Sequence, residues 1–221
     1  MRVLLINAAG GEGSVAIADS EAVPAIVGAE ELPGRTSSER LVPAVRRLLL
    51  AEHWKLSELA AIGVVHGPGS FTGVRVGLSA AKGLSEAGEV PLIAVSRLAL
   101  LAGCVDGGGQ SVHAVLDAGR GEFYYGEYVG RQCVREMLLG REEVLAAARG
   151  LVIACEEKVA EDLGELHPRL VDEPSAAEAL PLVLARIEAA DFDDAATVDA
   201  NYLRRTDAEI FAKQASLRVS S

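Results

Sequence analysis

Short runs of apolar residues alternate along the chain with amphipathic stretches. Residues 3–6 and 61–65 are apolar runs without a charged residue, which is typical of strands covered on both faces of a sheet. Residues 14–19 and 21–29 predict two further strands joined by a tight bend, so three strands precede the first helix. Strands followed by alternating helices and strands predict an α/β fold with a mixed sheet.

Two amphipathic stretches in the first half of the chain predict helices. Thr36 and Glu39 form a capping box that predicts a helix to about Glu52, with Pro43 kinking it or delaying its start. A second helix is expected over residues 71–87. Its polar residues Arg75, Ser79, Lys82 and Glu86 fall within an arc of roughly 60° on a wheel of ~100° per residue. So narrow a polar stripe indicates a helix covered on two sides, by its own sheet and by either the first helix or another polypeptide.

The three consecutive glycines at 107–109 are the best candidate boundary between domains. Beyond them, residues 112–116, 122–129 and 151–154 predict strands, and residues 176–190 predict a helix. The pattern therefore predicts an N-terminal lobe over residues 1–106 and a smaller C-terminal lobe with a terminal tail over residues 107–221.

Composition and charge narrow the classes of function. Half the residues are apolar, so both lobes can bury a core, and the formal net charge of −11 disfavours direct binding to nucleic-acid phosphates. The three cysteines are widely spaced and predict neither a disulfide framework nor a zinc site. The first residues are too short for a membrane span and lack a signal-peptide cleavage pattern. We expect a cytoplasmic protein.

Residues 67–73, Gly-Pro-Gly-Ser-Phe-Thr-Gly, resemble a phosphate loop only superficially. The Lys-Ser or Lys-Thr pair of a Walker motif is missing, and the next lysine is Lys82. Free N–H groups at a helix start can still bind an anion, which makes Ser70, Thr72 and Arg75 candidate anion contacts. The alternative is that the glycines turn the chain tightly and let the helix pack against the sheet.

Candidate catalytic and metal sites are weak in this sequence. The histidines have no partner three to five residues away, so no helical metal pair is predicted. A set of His66, Ser70 and Asp117 has the groups of a hydrolase, but no nucleophile-elbow motif supports it. Arg120 lies in a turn between Asp117 and Glu122, where it either contacts a ligand in a cleft or staples the turn through an ion pair. No catalytic and no metal-binding residue is predicted.

The glycine segment carries a family resemblance. Residues 67–77 and 81–84 resemble the hallmark of the TsaB (YeaZ) family of bacterial tRNA threonylcarbamoyladenosine biosynthesis proteins. The likeness continues at residues 91–96, 117–124 and 201–204 and so spans nearly the whole chain in order.

The resemblance implies a two-lobed sugar-kinase/actin-like (ASKHA) fold, with mixed five-stranded sheets and flanking helices. It implies a non-catalytic scaffold that activates the transferase TsaD, pairs with the ATPase TsaE, forms a homodimer when alone and reaches tRNA only through the complex. No cofactor of its own is expected, with ATP or ADP bound at an interface of the complex. The helices of the first lobe would form the interface, through Leu41, Val45, Leu48, Val74, Leu78 and Ala81.

Departures from the family pattern bear on two other functions. The first strand usually ends in Asp-Thr-Ser, where this chain has Asn7-Ala8-Ala9. In active relatives the Asp organises a phosphate-bound metal, and Asn cannot supply that charge, which counts against a small-molecule kinase. Ser37 stands where a His is common, and the metal-binding His pair of TsaD-like proteins is missing. A peptidase-like hydrolase of the same superfamily stays the alternative.

Overall fold

The structure is a computed structural model that describes residues 1–33 and 37–203. These residues form two lobes, each built on a five-stranded mixed sheet, as the family resemblance implies. The strands are β1 Arg2–Asn7, β2 Gly13–Asp19, β3 Ile26–Leu32, β4 Ala61–Val65, β5 Leu92–Val95, β6 Ser111–Gly119, β7 Glu122–Val129, β8 Gln132–Gly140, β9 Leu151–Ala154 and β10 Arg169–Leu170. The helices are α1 Ser37–Ala51, α2 Phe71–Gly88, α3 Arg97–Gly103, α4 Arg141–Ala147, α5 Glu157–Asp162 and α6 Leu180–Glu188.

The first sheet has the strand order β3-β2-β1-β4-β5. Its first three strands form the predicted antiparallel meander, and β4 and β5 add to it in parallel. Successive side chains of β1 alternate between two cores because a strand has a period of two. Leu4 and Ile6 pack with residues of α1 and α2, whereas Val3 and Leu5 pack with Leu100 of α3 and with residues of α6. Both faces of this sheet are therefore covered by helices.

The predicted helices α1 and α2 are confirmed. The structure describes α1 from Ser37, so the helix includes Pro43 and does not start after it. Thr36 of the predicted capping box lies outside the described residues. Helix α2 begins at Phe71 as predicted and ends one residue later, at Gly88. It packs against both the sheet and α1, so the chain itself covers both sides of α2.

The second sheet has the order β10-β9-β6-β7-β8. One of its faces packs on α4 and α5, and the other packs on α3, which thus lies between the two sheets. The hairpin of β6 and β7 is confirmed, but β8, β10, α4 and α5 were not predicted. Strand β8 lies at a sheet edge and much of it is exposed, so it lacks the apolar run that marks the buried strands.

The chain returns to the first lobe near its C-terminal end. The predicted helix over residues 176–190 is observed as a 3₁₀ turn, Ala177–Ala179, followed by α6. Ala176, Leu180 and Val183 belong to the core on the first sheet. The predicted division of the chain at residue 107 is therefore corrected, because a single cut cannot describe a chain that crosses between the lobes twice.

None of the helices within the described ranges is long and apolar enough to cross a membrane.

Val183 tests this return of the chain. An ideal Cβ on Gly63 of β4 would come within 2.5 Å of Val183 Cγ2, so α6 packs tightly on the central strand. We expect Val183→Ala to lower the free energy of unfolding by about 2 kcal/mol, because it leaves a cavity in that core. Urea unfolding measures this change. The matched control is Val23→Ala at an exposed position, and equal stabilities of the two variants would contradict the packing.

Candidate functional site

The segment from Gly67 to Gly73 joins β4 to α2 and lies directly on the turn that follows β1. The Ser70 N–H donates a hydrogen bond to the Ala9 carbonyl at 2.8 Å. An ideal Cβ on Gly69 would overlap the Ala9 oxygen, and one on Gly73 would overlap the Ala8 oxygen. Only glycine permits so close an approach of two backbones. The geometry agrees with the tight-packing alternative for this segment.

Two of the three candidate anion contacts at the start of α2 are engaged within the chain. The Ser70 hydroxyl caps the helix by accepting a hydrogen bond from the Gly73 N–H at 3.2 Å. Arg75 donates to the Phe71 carbonyl at 3.1 Å, and its guanidinium lies over the Phe71 ring, 3.2 Å from the centroid. Thr72 is exposed in the same turn. Arg120 lies in the second lobe, at the turn between β6 and β7 with φ 60°, so the first lobe supplies three of the four candidates.

Asn7 is a buried structural residue. Its Nδ2 donates to the Pro174 carbonyl at 2.9 Å, and its Oδ1 accepts from the Ala9 N–H at 3.0 Å. An amide is suited to both bonds because it carries a donor and an acceptor. Asn7, which stands where the family usually has Asp, therefore ties β1 to the segment at Pro174.

Arg97, at the start of α3, is a buried charge that the sequence analysis did not single out. It is 5% exposed. Its Nη2 donates to Glu173 Oε1 at 2.6 Å and lies 3.6 Å from Glu156 Oε1. Burying a charge is costly unless it is paired. The available signal was one arginine in an otherwise apolar helix, Arg-Leu-Ala-Leu-Leu-Ala-Gly.

The two carboxylates that face Arg97, those of Glu173 and Glu156, connect it to both lobes. Glu173 Oε1 also accepts from the Gly11 N–H at 3.1 Å, in the turn between β1 and β2. Glu156 Oε2 accepts from the Asp117 N–H at 2.7 Å, at the end of β6. Asp117 in turn pairs with Lys158, 3.1 Å away. A connected set of polar contacts therefore lines the junction of the lobes.

The hydrolase alternative receives no support from this geometry. His66 Nδ1 lies 3.1 Å from the Asp199 carbonyl, Ser70 caps α2, and Asp117 pairs with Lys158. The three side chains thus each bond to other groups. Among the described residues, no group of three His, Cys, Asp or Glu side chains is arranged to hold a metal ion.

The predicted interface residues are placed differently from the expectation. Leu41, Val45, Val74, Leu78 and Ala81 are buried in the chain's own cores, and Leu48 is partly buried against them. The five buried side chains cannot meet a partner without opening the first lobe. Most of the apolar residues of the two helices are buried by contact with the sheet and between the helices. A charge at Leu78 would therefore test the core and not an interface.

The outer face of α1 carries exposed apolar groups instead. Val42 is 49% exposed and Leu50 is 61% exposed. With Pro43, Arg46 and Arg47 they line a shallow groove along the helix. We call these five residues the α1 groove.

Comparison with known proteins identifies the family. The family model described as TsaD, tRNA N6-adenosine threonylcarbamoyltransferase, matches residues 31–211. The chain belongs to this family. Its relatives place it on the TsaB (YeaZ) branch, which confirms the resemblance noted from the glycine segment.

Individual relatives support that branch. The TsaB protein of Escherichia coli K12 is 38% identical over 130 residues, which is 58% of this chain and 55% of that protein. The TsaB protein of Bacillus subtilis 168 is 34% identical over 113 residues, 51% of this chain and 49% of that protein. The chain spans about half the length of the curated relatives it matches.

A solved structure extends the similarity over nearly all of both chains. YeaZ from Pseudomonas aeruginosa has a TM-score of 0.77 and 27% identity, covering 91% of this chain and 99% of that chain. The two-lobed ASKHA-type fold is therefore confirmed.

Gly73 and Gly83 provide a matched pair within α2. Gly73→Ala places a methyl group on the Ala8 carbonyl, and we expect it to lower the free energy of unfolding by about 1–3 kcal/mol. Gly83 has open space around it, so Gly83→Ala is expected to raise the free energy by about 1 kcal/mol through helix propensity. Chemical denaturation of both variants measures the difference, and similar effects would contradict the close approach.

Cys155 beside Arg97 gives a pH-dependent prediction. Burial raises the pKa of the Cys155 thiol to about 11, and Arg97 offsets only part of that effect. Since only the thiolate reacts, about one molecule in a thousand is reactive at pH 8. We expect iodoacetamide to label the exposed Cys133 before Cys155, and labelling of Cys155 to accelerate as the pH rises. Peptide mass spectrometry measures both rates, and faster labelling of Cys155 at pH 8 would contradict the burial.

Proposed function

We propose that this protein is a non-catalytic partner subunit in the biosynthesis of tRNA N6-threonylcarbamoyladenosine, where it activates a TsaD-like transferase. The curated relatives on its branch are named for this biosynthesis. The transferase of Zymomonas mobilis shares 44% identity over 68 residues, 31% of this chain and 19% of that protein.

The observation that carries the proposal is the α1 groove. Val42 and Leu50 stand eight residues apart on one face of α1, so they are aligned along the helix over about two turns. Exposed apolar side chains framed by arginines have the composition of an interface core, in which apolar groups and Arg are enriched. The proposed occupant is the TsaD-like chain, and a second copy of this protein takes its place when the protein is alone.

The junction of the lobes supports a non-catalytic role. Each of four polar side chains makes a hydrogen bond within the chain, namely Asn7, Ser70, Arg97 and Glu173. Within the described ranges, none of them is arranged with a second group as a nucleophile and its base. In this proposal ATP or ADP binds at an interface with the TsaD-like chain and a TsaE-like ATPase.

The net charge and the free cysteines support two further parts of the proposal, namely indirect contact with tRNA and a location in the cytoplasm. The formal net charge of −11 repels tRNA phosphates, so tRNA is contacted through the complex. The three cysteines are free thiols, which suits the reducing cytoplasm.

A charge in the α1 groove tests the pairing. We expect Val42→Glu combined with Leu50→Glu to weaken binding of the same organism's TsaD-like chain by about tenfold or more, because two apolar anchors are lost. Co-purification and light scattering measure both pairing and the homodimer. The matched control is Val134→Glu, 56% exposed on the second lobe, which is expected to leave both unchanged. Retention of both assemblies by the double variant would exclude this groove as the interface.

A modification assay tests the activating role. The TsaD-like chain and the TsaE-like ATPase are incubated with tRNA, ATP and a supplied activated threonylcarbamoyl donor, with or without this protein, and the modified nucleoside is quantified by mass spectrometry. We expect modification to depend on this protein and to be lost with the double variant. Full activity without this protein would refute the proposed role.

A further inference from the structure

The Glu173 carboxylate fills the turn between β1 and β2. Glu173 Oε1 accepts the Gly11 N–H at 3.1 Å and the Arg97 Nη2 at 2.6 Å. An ideal Cβ on Gly10 would overlap this same oxygen. A backbone N–H, a guanidinium and the space left by a missing side chain thus surround one carboxylate oxygen. These are the elements of an oxyanion site, in which N–H donors and a fixed cation bind a negative oxygen.

Arg97 has more hydrogen-bonding capacity than its neighbours use. Its Nε is buried and has no hydrogen-bond partner among the described residues. A guanidinium has five N–H donors in a planar fork and binds a carboxylate best through two parallel bonds. In this structure Glu173 receives a bond from Nη2. The buried, unpartnered Nε therefore indicates that the site can make a further bond to an anion.

The charges around Arg97 limit the type of anion. Glu156 Oε1 lies 3.6 Å from Arg97 Nη2, and Cys155 Sγ lies 4.0 Å from it. Glu156 is also held by the Asp117 N–H, so it stays in place when Glu173 moves. A second carboxylate this close disfavours a doubly charged phosphate by like-charge repulsion. A singly charged carboxylate fits the charge that Glu173 itself brings.

Glu173 can leave the turn without a change in the backbone. The chain is held on both sides of it, because the Val171 N–H donates to the Ala154 carbonyl at 3.0 Å and Asn7 donates to the Pro174 carbonyl at 2.9 Å. The Glu173 side chain itself is 36% exposed. Rotation about its side-chain bonds is therefore enough to move the carboxylate into solvent and open the turn.

We propose that Gly11 and Arg97 form a binding site for a small carboxylate, and that Glu173 is an internal ligand that closes it. An incoming carboxylate replaces Glu173 on the Gly11 N–H and the Arg97 guanidinium. This site lies at the junction of the lobes, in contrast to the α1 groove, so it stands independently of the pairing with a TsaD-like chain.

Formate is the probe, with Glu173→Ala as the open site. We expect this variant to melt roughly 5–15 °C below the wild type in formate-free buffer, because Arg97 loses its buried partner. Formate at millimolar concentrations is expected to restore the melting temperature saturably and to shift the amide resonance of Gly11. Inorganic phosphate, the comparison anion, is expected to have at least a fivefold weaker effect at equal concentration. Equal or stronger binding of phosphate would overturn the assignment to a carboxylate.

Three further variants separate binding from stability. Arg97→Met with Glu173→Ala is expected to lose the formate response, because the cation is gone. Glu173→Gln still fills the turn but lacks the charge that holds Glu173 on Arg97, so its response to formate is expected to exceed that of the wild type and to stay below that of Glu173→Ala. Glu157→Ala, at an exposed neighbouring carboxylate, is the matched control and is expected to respond like the wild type.

The outcomes are clear even when the open variant is unstable. If Glu173→Ala is unfolded without formate, refolding it in formate is expected to restore the far-ultraviolet circular dichroism. A formate response of Glu173→Ala no larger than that of the double variant, or a Gly11 resonance that does not move, would overturn the proposal and leave Glu173 as a structural ion pair only.

Discussion

The close approach of two backbones holds the first lobe together. The carbonyls of Ala8 and Ala9 lie where side chains of Gly73 and Gly69 would otherwise be, and the Ser70 N–H bonds to Ala9. This contact sets the position of α2 on the sheet, because the helix starts within it. It also uses the Ser70 N–H, at the helix start, in a hydrogen bond to the Ala9 carbonyl. The same feature that resembles a phosphate loop in sequence is thus a packing joint in the folded protein.

The second constraint is the double crossing of the chain between lobes. After the second sheet is built, the chain returns through Glu173 and Pro174 and covers the first sheet with α6. Asn7 and Arg97 receive this returning segment with two hydrogen bonds. Arg97 also faces Glu156 of the second lobe. The buried guanidinium therefore lies where the first lobe, the second lobe and the returning segment meet. Fixing a charge there favours one arrangement of the lobes, because any other leaves the charge unpaired.

These internal bonds leave the outer surface for the pairing proposed above. Most apolar residues of the helices that cover the first sheet are buried in its cores. What α1 retains outside is a short apolar strip between two arginines. The curated relatives described above are named for one biosynthesis, but some are transferases and others are TsaB proteins. One fold can host different functions in different members of a family, which agrees with the division of roles proposed above.

Elements with local signals can be predicted from the sequence alone. The apolar runs of β1 and β4, the start of α2 behind Ser70, and the hairpin of β6 and β7 follow from neighbouring residues, since period and turn chemistry act over a few positions. The glycine segment was also sufficient to indicate the family. The edge strand β8 could not be predicted in this way, because an exposed strand needs no continuous apolar run.

Which surfaces are buried inside the chain depends on contacts that form only in the folded protein. The helical wheel showed that α2 is covered on two sides, but whether α1 or another chain covers it depends on contacts between distant segments. The same holds for the return of α6 to the first sheet and for the meeting of Gly11, Arg97 and Glu173, which are far apart in sequence. Burial and pairing are properties of residues brought together from across the chain, so no pattern read along it can assign them.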